Sequence, residues 1–464
     1  MLELIIIALY FAVIIAVGVL SRRRAKRAED YFVAGRKGST LFITGSLLST
    51  IIGGSAIMVT VGLGFSRGLS GAWWLLVGSI GLVFLGIFFA KKVRKFGFYT
   101  LPGLVKAQYD GRVALAASVL IVIAWVGIIA AQIIAAGKIV SVLGMGSPTM
   151  WMLVFSAVFI AYTAIGGQHA VIRTDAIQAG VIFIGIFVVL GLVLSRLGGF
   201  SELSASLPAE RFDFPLTSGF SLYDLVALLL LVGLTYVVGP DMYSRLFCAG
   251  NEKVARASAL WTALLIVPLA LAITVIGMGA AALFSDIAPD QAFPMVITEV
   301  LPPLLGGLVL AALLSAFMSS ADTTLLSAST ILVVDIVGRS RPSFNQERAL
   351  YLTRWGVVLL GLVATALALY LGEILSAVLF AFTVFTAGVI LPVIAGFFKQ
   401  RLGVTPLGAL VAIAGGGSLG LISKLWSIKY LDVGALLLCG VLLFAVSFID
   451  GRRKSRRLDG GASI

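Results

Sequence analysis

Runs of about twenty apolar residues recur along this chain, separated by short polar connections. In hydrocarbon no water is available to backbone N–H and C=O groups, so each such run must close its own hydrogen bonds as an α-helix. Reading for these runs predicts about thirteen membrane-spanning helices. Their ranges are 2–20, 41–65, 71–90, 113–142, 149–166, 174–196, 221–247, 257–284, 303–336, 353–371, 374–398, 406–422 and 431–449. The 464 residues are 60% hydrophobic and only 12% charged, too little charge to cover a soluble domain of this size. The expected fold class is an all-α polytopic membrane protein. The longest polar connections, near 198–219 and 285–302, are too short to fold alone, so no soluble output domain is expected.

The net charge of +13 would suit a nucleic-acid binder if it formed one patch. Instead the basic residues sit in every second connection. They include Arg22–Arg27, Lys91–Lys95, the group Arg245, Lys253 and Arg256, the group Arg339, Arg341 and Arg348, then Lys399 with Arg401, and Arg452–Arg457. Alternate connections carry few or are acidic, as at Asp286, Asp290 and Glu299. This is the positive-inside pattern, with attraction to anionic lipid as a secondary effect. It places the N-terminus outside, the C-terminus in the cytoplasm and the chain in the plasma (cytoplasmic) membrane. The first span precedes rather than follows its basic cluster and lacks a small-residue cleavage site, so it is expected to stay as an anchor. Two cysteines, Cys248 and Cys439, and one histidine, His169, exclude a disulfide framework and a Cys/His metal centre. His169 is expected in a short loop. No nucleic-acid partner and no obligate protein partner is expected.

Inside the 303–336 run stands Ser315-Ala316-Phe317-Met318-Ser319-Ser320-Ala321-Asp322-Thr323-Thr324. On a helix, Ala316, Ser319, Ser320 and Thr323 share one face. Hydroxyls and a carboxylate at this depth are costly unless they meet a cavity, a partner or an ion. Oxygen ligands without thiol or imidazole suit a hard cation such as sodium, so the ladder points to a coupling-ion site in a transporter.

Two other runs carry interruptions. One is Gly53-Gly54-Ser55, where glycine lowers helical stability; the other, five spans later, is Gly233-Leu234-Thr235-Tyr236 followed by Gly239-Pro240-Asp241. Pro240 has no N–H for the carbonyl one turn back. Interruptions at corresponding places in two halves point to the binding site of an inverted-repeat transporter, freed carbonyls serving cations and freed amides serving anionic groups. Gly62–Gly68 has the wrong spacing for a nucleotide-binding glycine loop and no strand before it.

Four stretches then resemble the sodium:solute symporter family: Asp30–Arg36, Gly166–Gln178, Gly239–Arg245 and Met318–Ser329. Many relatives have histidine at the position of Asp241. The resemblance implies the leucine-transporter fold, a ten-helix core of two inverted five-helix repeats, with one helix before it and two after. The corresponding division is 1–40 for the first helix and its basic loop, 41–197 for the first repeat and 198–220 for an outer loop. The second repeat is 221–398, and 399–464 holds the last two helices and tail.

By the same resemblance, a sodium ion would be held by Ser49, Ile52, Ala316, Ser319 and Ser320. A second sodium site, present in some relatives, would use Asp175, Ser319, Asp322 and Thr323. On the residues alone, Asp175 also reads as a carboxylate in the first turn of a helix, and Asp322 as a proton carrier or a partner for Arg173 or Arg245. The solute would lie among Gly53, Gly54, Ser55, Ala56, Gln132, Gly233, Thr235, Tyr236 and Phe382 or Thr383. Ala56 stands where galactose carriers have a sugar-contacting glutamine, which disfavours a sugar. Lys138 would either attract a carboxylate or extend to the outer surface, and a small carboxylate or amino acid is the preferred solute. The implied activity is sodium-coupled symport by alternating access, with Na+ as the coupling ion. Proton-coupled symport by Asp175 and Asp322, or a membrane sensor of solute, are the alternatives. No nucleophile, base and orienting group stand together in the pattern of an enzyme.

Overall fold

A computed structural model describes residues 32–141, 146–340, 346–426, 428 and 431–461, with a few isolated positions before residue 17. The expected first span and the Arg22–Arg27 cluster lie outside the described residues. Every other expected range, from 41–65 to 431–449, falls mostly on helical backbone, with residue 142 outside the described residues. Among the described residues, eleven helices are long and apolar enough to cross a bilayer. The only β pairing among them is the pair of isolated bridges Gly38–Ala249 and Thr217–Phe220.

The helices used below are α1 (Thr40–Ile51), α2 (Gly54–Arg67), α3 (Trp73–Phe84), α4 (Gly111–Ser141), α5 (Pro148–Leu197), α6 (Leu234–Val238), α7 (Pro240–Cys248), α8 (Glu252–Leu283), α9 (Pro303–Thr330), α10 (Gln346–Leu371), α11 (Ile374–Phe385), α12 (Pro406–Leu425) and α13 (Leu431–Gly461). Their starts follow from local chemistry. Ser39, Ser147, Asn251 and Thr405 each accept a backbone N–H of the first turn. Proline opens α5, α7, α9 and α12, where its missing N–H leaves no intrahelical bond unmade.

Helical backbone runs through the whole of α5, including the expected loop at His169. Yet the Tyr162 hydroxyl lies 3.4 Å from that of Thr174. Twelve residues of straight helix would separate them by about 18 Å. The chain therefore reverses between them, and α5 makes two spans, Pro148–Ile165 and Thr174–Leu197.

Large apolar side chains face outward, while a minority of polar side chains is sealed inside a mainly apolar core. Leu41, Ile177, Ile184 and Tyr370 are exposed, while Ser46, Ser49, Asp175, Arg245, Ser319 and Thr323 are fully buried. That arrangement suits lipid around the bundle and polar groups that must find partners inside it. Small residues bring helices close. A Cβ on Gly64 would overlap the Thr274 carbonyl, and one on Gly277 the Val61 carbonyl, so α2 and α8 pack backbone to backbone. At the far end of α2, Gly68 takes φ 71° to turn the chain into a 3-10 segment before α3.

Candidate functional site

Both expected interruptions are present. Between α1 and α2, Ile52 has φ −89° and ψ 46°, and Gly53 is extended. Between α6 and α7, Gly239 has ψ 135° and Pro240 begins the next helix. The second break thus falls at Gly239; Gly233 instead closes a π-helical turn, Leu229–Gly233, and packs beside the Val77 carbonyl.

At the first break, carbonyls that would continue the helix are met by α9. The Ser319 hydroxyl lies 3.2 Å from the Ser49 carbonyl and 3.1 Å from that of Ala316. The Ser320 hydroxyl donates to the Thr50 carbonyl at 2.9 Å. Ser49, Ser319, Ala316 and Ile52 are fully buried. Three of the five expected sodium ligands therefore meet around one hydroxyl. Ile52 supplies the non-helical turn, and Ser320 bridges to Thr50, a partner the sequence reading did not include. Close approach is what Gly53 and Gly54 permit: a Cβ on Gly53 would overlap the Ser320 hydroxyl, and one on Gly54 the Phe317 ring.

One helical turn beyond lies a charged cluster. Arg245, counted by sequence among the loop cations, is fully buried on α7. Its Nη2 lies 3.2 Å from Asp175 Oδ2 and donates to Thr50 Oγ1 at 2.9 Å and to Thr323 Oγ1. Its Nε donates to Ser46 Oγ at 3.1 Å, and Ser46 in turn donates to Asp175 Oδ2 at 2.5 Å. Nη1 donates to Ser244 at 3.1 Å. Asp175 is thus the counter-ion of Arg245 in mid-bundle rather than a helix cap. The residues expected to form a second sodium site, Asp175 and Thr323, converge on a guanidinium. Asp175 Oδ1 and Asp322 Oδ1 are buried without a hydrogen-bond partner.

Beside the first break is a small cavity of about 60 Å³. Gly53, Ser55, Ala56, Gln132, Thr235, Tyr236 and Phe382 line it as expected. Gln132 is held by α2: its Oε1 accepts from the Ser55 N–H at 3.2 Å, and its Nε2 donates to Ser55 Oγ at 2.7 Å. Gly54, Gly233 and Thr383 do not line it. Trp74, Asp241 and Thr324 do, in addition to the residues expected from sequence. Ser320 lines the cavity as well, so one side chain joins the hydroxyl–carbonyl cluster to that cavity. Lys138 is elsewhere. Its Nζ lies 2.6 Å from Asp290 Oδ2, on the rim of a wider vestibule of about 420 Å³ that Arg67 also lines. The arrangement can accommodate a small cation among oxygens and, beside it, a small organic molecule.

Comparison with known proteins identifies the family and the fold. The model of the sodium:solute symporter family matches residues 31–416. Sodium/glucose cotransporter 4 of Danio rerio is 26% identical over 77% of this chain and 61% of its own length. The sodium/glucose cotransporter of Vibrio parahaemolyticus is 26% identical over 80% of this chain and 75% of its own length. For sodium/myo-inositol cotransporter 2 of Mus musculus the figures are 27%, 78% and 60%. The match spans about three fifths of these animal relatives. A Na+-coupled sialic acid symporter in a substrate-bound outward-open state aligns with a TM-score of 0.81 at 18% identity, covering 97% of this chain and 98% of that one. A nucleobase-cation-symport-1 family transporter gives 0.64 at 14% identity, covering 92% and 95%. At such identities the solved structures speak to the fold, which is that of the leucine transporter.

Proposed function

Because this chain belongs to the sodium:solute symporter family, we propose that it is a secondary active transporter coupling sodium entry to uptake of a small organic solute. The observation that carries this reading is the meeting of Ser319 and Ser320 with the Ser49 and Thr50 carbonyls at the break between α1 and α2, against the wall of a small cavity. Ser49, Ile52, Ala316, Ser319 and Ser320 are the proposed sodium ligands. Sodium entering there replaces weak hydroxyl–carbonyl bonds with ion–dipole contacts and ties α1 to α9. Because Ser320 also lines the cavity, ion occupancy alters the solute space directly. Each positive charge moved inward gains about 2.3 kcal/mol per 100 mV of membrane potential.

The second set, Asp175, Asp322 and Thr323, is read as the seat of a tethered cation. Arg245 already supplies the positive charge there, which favours one sodium ion per cycle. In this reading 41–197 and 221–398 are the two repeats that rock against each other. The N-terminus lies outside, and the vestibule edged by Lys138 and Asp290 is the outer approach. A proton-coupled cycle draws on Asp322, whose Oδ1 is buried and unpartnered. Uptake in sodium-free proteoliposomes under a pH gradient alone separates the two.

The direct test is sodium-driven uptake by the Ser319→Ala/Ser320→Ala double variant. The expected outcome is a rise of about tenfold or more in the sodium needed for half-maximal rate, as for lost contacts to a charged group. An unchanged sodium requirement would falsify the ligand assignment.

A further inference from the structure

We infer that the transported solute is a small organic cation, an amine or quaternary ammonium, held by Asp241 within a cage of Trp74, Tyr236 and Phe382. This deepens the transport reading and rests on it. Four observations lead there. Among the described residues, Asp241 is the only formally charged side chain lining the cavity. Its Oδ1 accepts from the buried Trp125 indole, which fixes the carboxylate, and no other side-chain donor among the described residues reaches it. Arg245, one turn further along α7, directs its N–H groups to Ser46, Thr50, Ser244, Asp175 and Thr323 and makes no hydrogen bond to Asp241. The basic residue that would have welcomed a carboxylate, Lys138, is engaged by Asp290 away from the cavity.

The second observation is aromatic. The Phe382 ring centroid is 6.5 Å from that of Trp74 and 6.4 Å from that of Tyr236. Three rings beside one carboxylate recognise an alkylated or protonated nitrogen through their negative faces and the ionic contact together. A carboxylate solute would meet repulsion from Asp241.

The third is the state of the remaining polar groups. A polyol needs many unspent donors and acceptors. Here Thr50 and Thr235 donate to backbone carbonyls of their own helical segments, as does Thr324. Ser320 donates to the Thr50 carbonyl, and Gln132 and Ser55 are joined by two hydrogen bonds that leave one Gln132 N–H and the Ser55 O–H unspent. Thr235 also shares a hydroxyl contact of 3.0 Å with Thr386.

The fourth is size. A cavity of about 60 Å³ is well under the roughly 150 Å³ that holds a benzene, which favours a solute of a few heavy atoms over a hexose with about twelve.

The test is a thermal-shift series on the purified full chain, in sodium chloride and in potassium chloride. The probes are ethanolamine and tetramethylammonium, their neutral counterparts ethylene glycol and tert-butanol, and glucose, alanine and acetate. Expected is stabilisation by one or both cations that is larger in sodium, with none from the neutral counterparts, glucose or acetate. Asp241→Asn, which keeps an acceptor for Trp125, should weaken the apparent affinity for the responding cation by about tenfold or more. Should that variant not fold, Phe382→Leu serves instead and must reduce the tetramethylammonium response. A response confined to glucose, alanine or acetate overturns the inference. So does no response to either cation, or a cation response untouched by the substitution. The sodium-only shift, measured without solute, reports on the ion site separately. If it persists while the cations fail, the solute class falls and the sodium assignment stands.

Discussion

The hydroxyl–carbonyl cluster at Ser319 and Ser320 and the charged cluster at Arg245 are separated by about one turn of α9, yet they solve opposite problems. The first contains neutral oxygens only, bonded to one another at 2.9–3.2 Å. Such a set exchanges internal hydrogen bonds for an ion at modest net cost, and its occupant can leave. The second holds its cation by covalent attachment to α7, against Asp175 buried on the neighbouring helix. Removing that cation would strand a carboxylate in a medium that solvates it poorly. A carrier that must load and unload needs the first kind of site. A bundle that must stay assembled while it does so needs the second.

That contrast can be broken in several ways. The largest effect should come from Arg245→Gln, which leaves Asp175 uncompensated: about 3–5 kcal/mol of stability is expected to be lost, seen as a lower unfolding midpoint in detergent. Adding Asp175→Asn should recover much of it, because the two changes share one interaction; a strictly additive double variant would dissolve the ion-pair account. Gly53→Ala comes next. Its methyl would press on the Ser320 hydroxyl, so a loss of about 1–3 kcal/mol should accompany an impaired sodium response. Thr323→Val removes one acceptor from Arg245 while keeping shape, and about 1 kcal/mol is expected. If it instead shifts the sodium dependence of uptake, the charged cluster binds an exchangeable ion and the contrast fails. Lys138→Met should matter least. Its pair with Asp290 is partly exposed, so at most about 1 kcal/mol is at stake, and less at high salt.

Much of this could be read from the chain because the bilayer permits so few solutions. Apolar runs gave the spans, and the Gly53-Gly54 and Gly239-Pro240 interruptions gave the breaks. The Ser315–Thr324 ladder marked the helix that answers the first of them. What escaped was pairing. Arg245 stands in sequence beside Lys253 and Arg256, and charge spacing alone grouped it with them. Its reading as a partner for Asp322 had the inward direction but not the partner, which the docking of α7 against α1, α5 and α9 makes Asp175. Trp74 escaped for a different reason: an aromatic residue in an apolar helix carries no mark that tells cavity from lipid. Asp241 was visible as a departure from the family's histidine, but its position in the cavity wall is fixed by Trp125, more than a hundred residues away.

The meshing of Gly64 and Gly277 has a mechanical consequence. With each backbone seated in the notch left by the other's missing side chain, α2 and α8 have no room to slide past one another. Any displacement of α2 drags its neighbour along, and the pair swings as a single lever. Its fulcrum is then the non-helical joint at Ile52 and Gly53, where a bound ion would sit on the hinge pin itself.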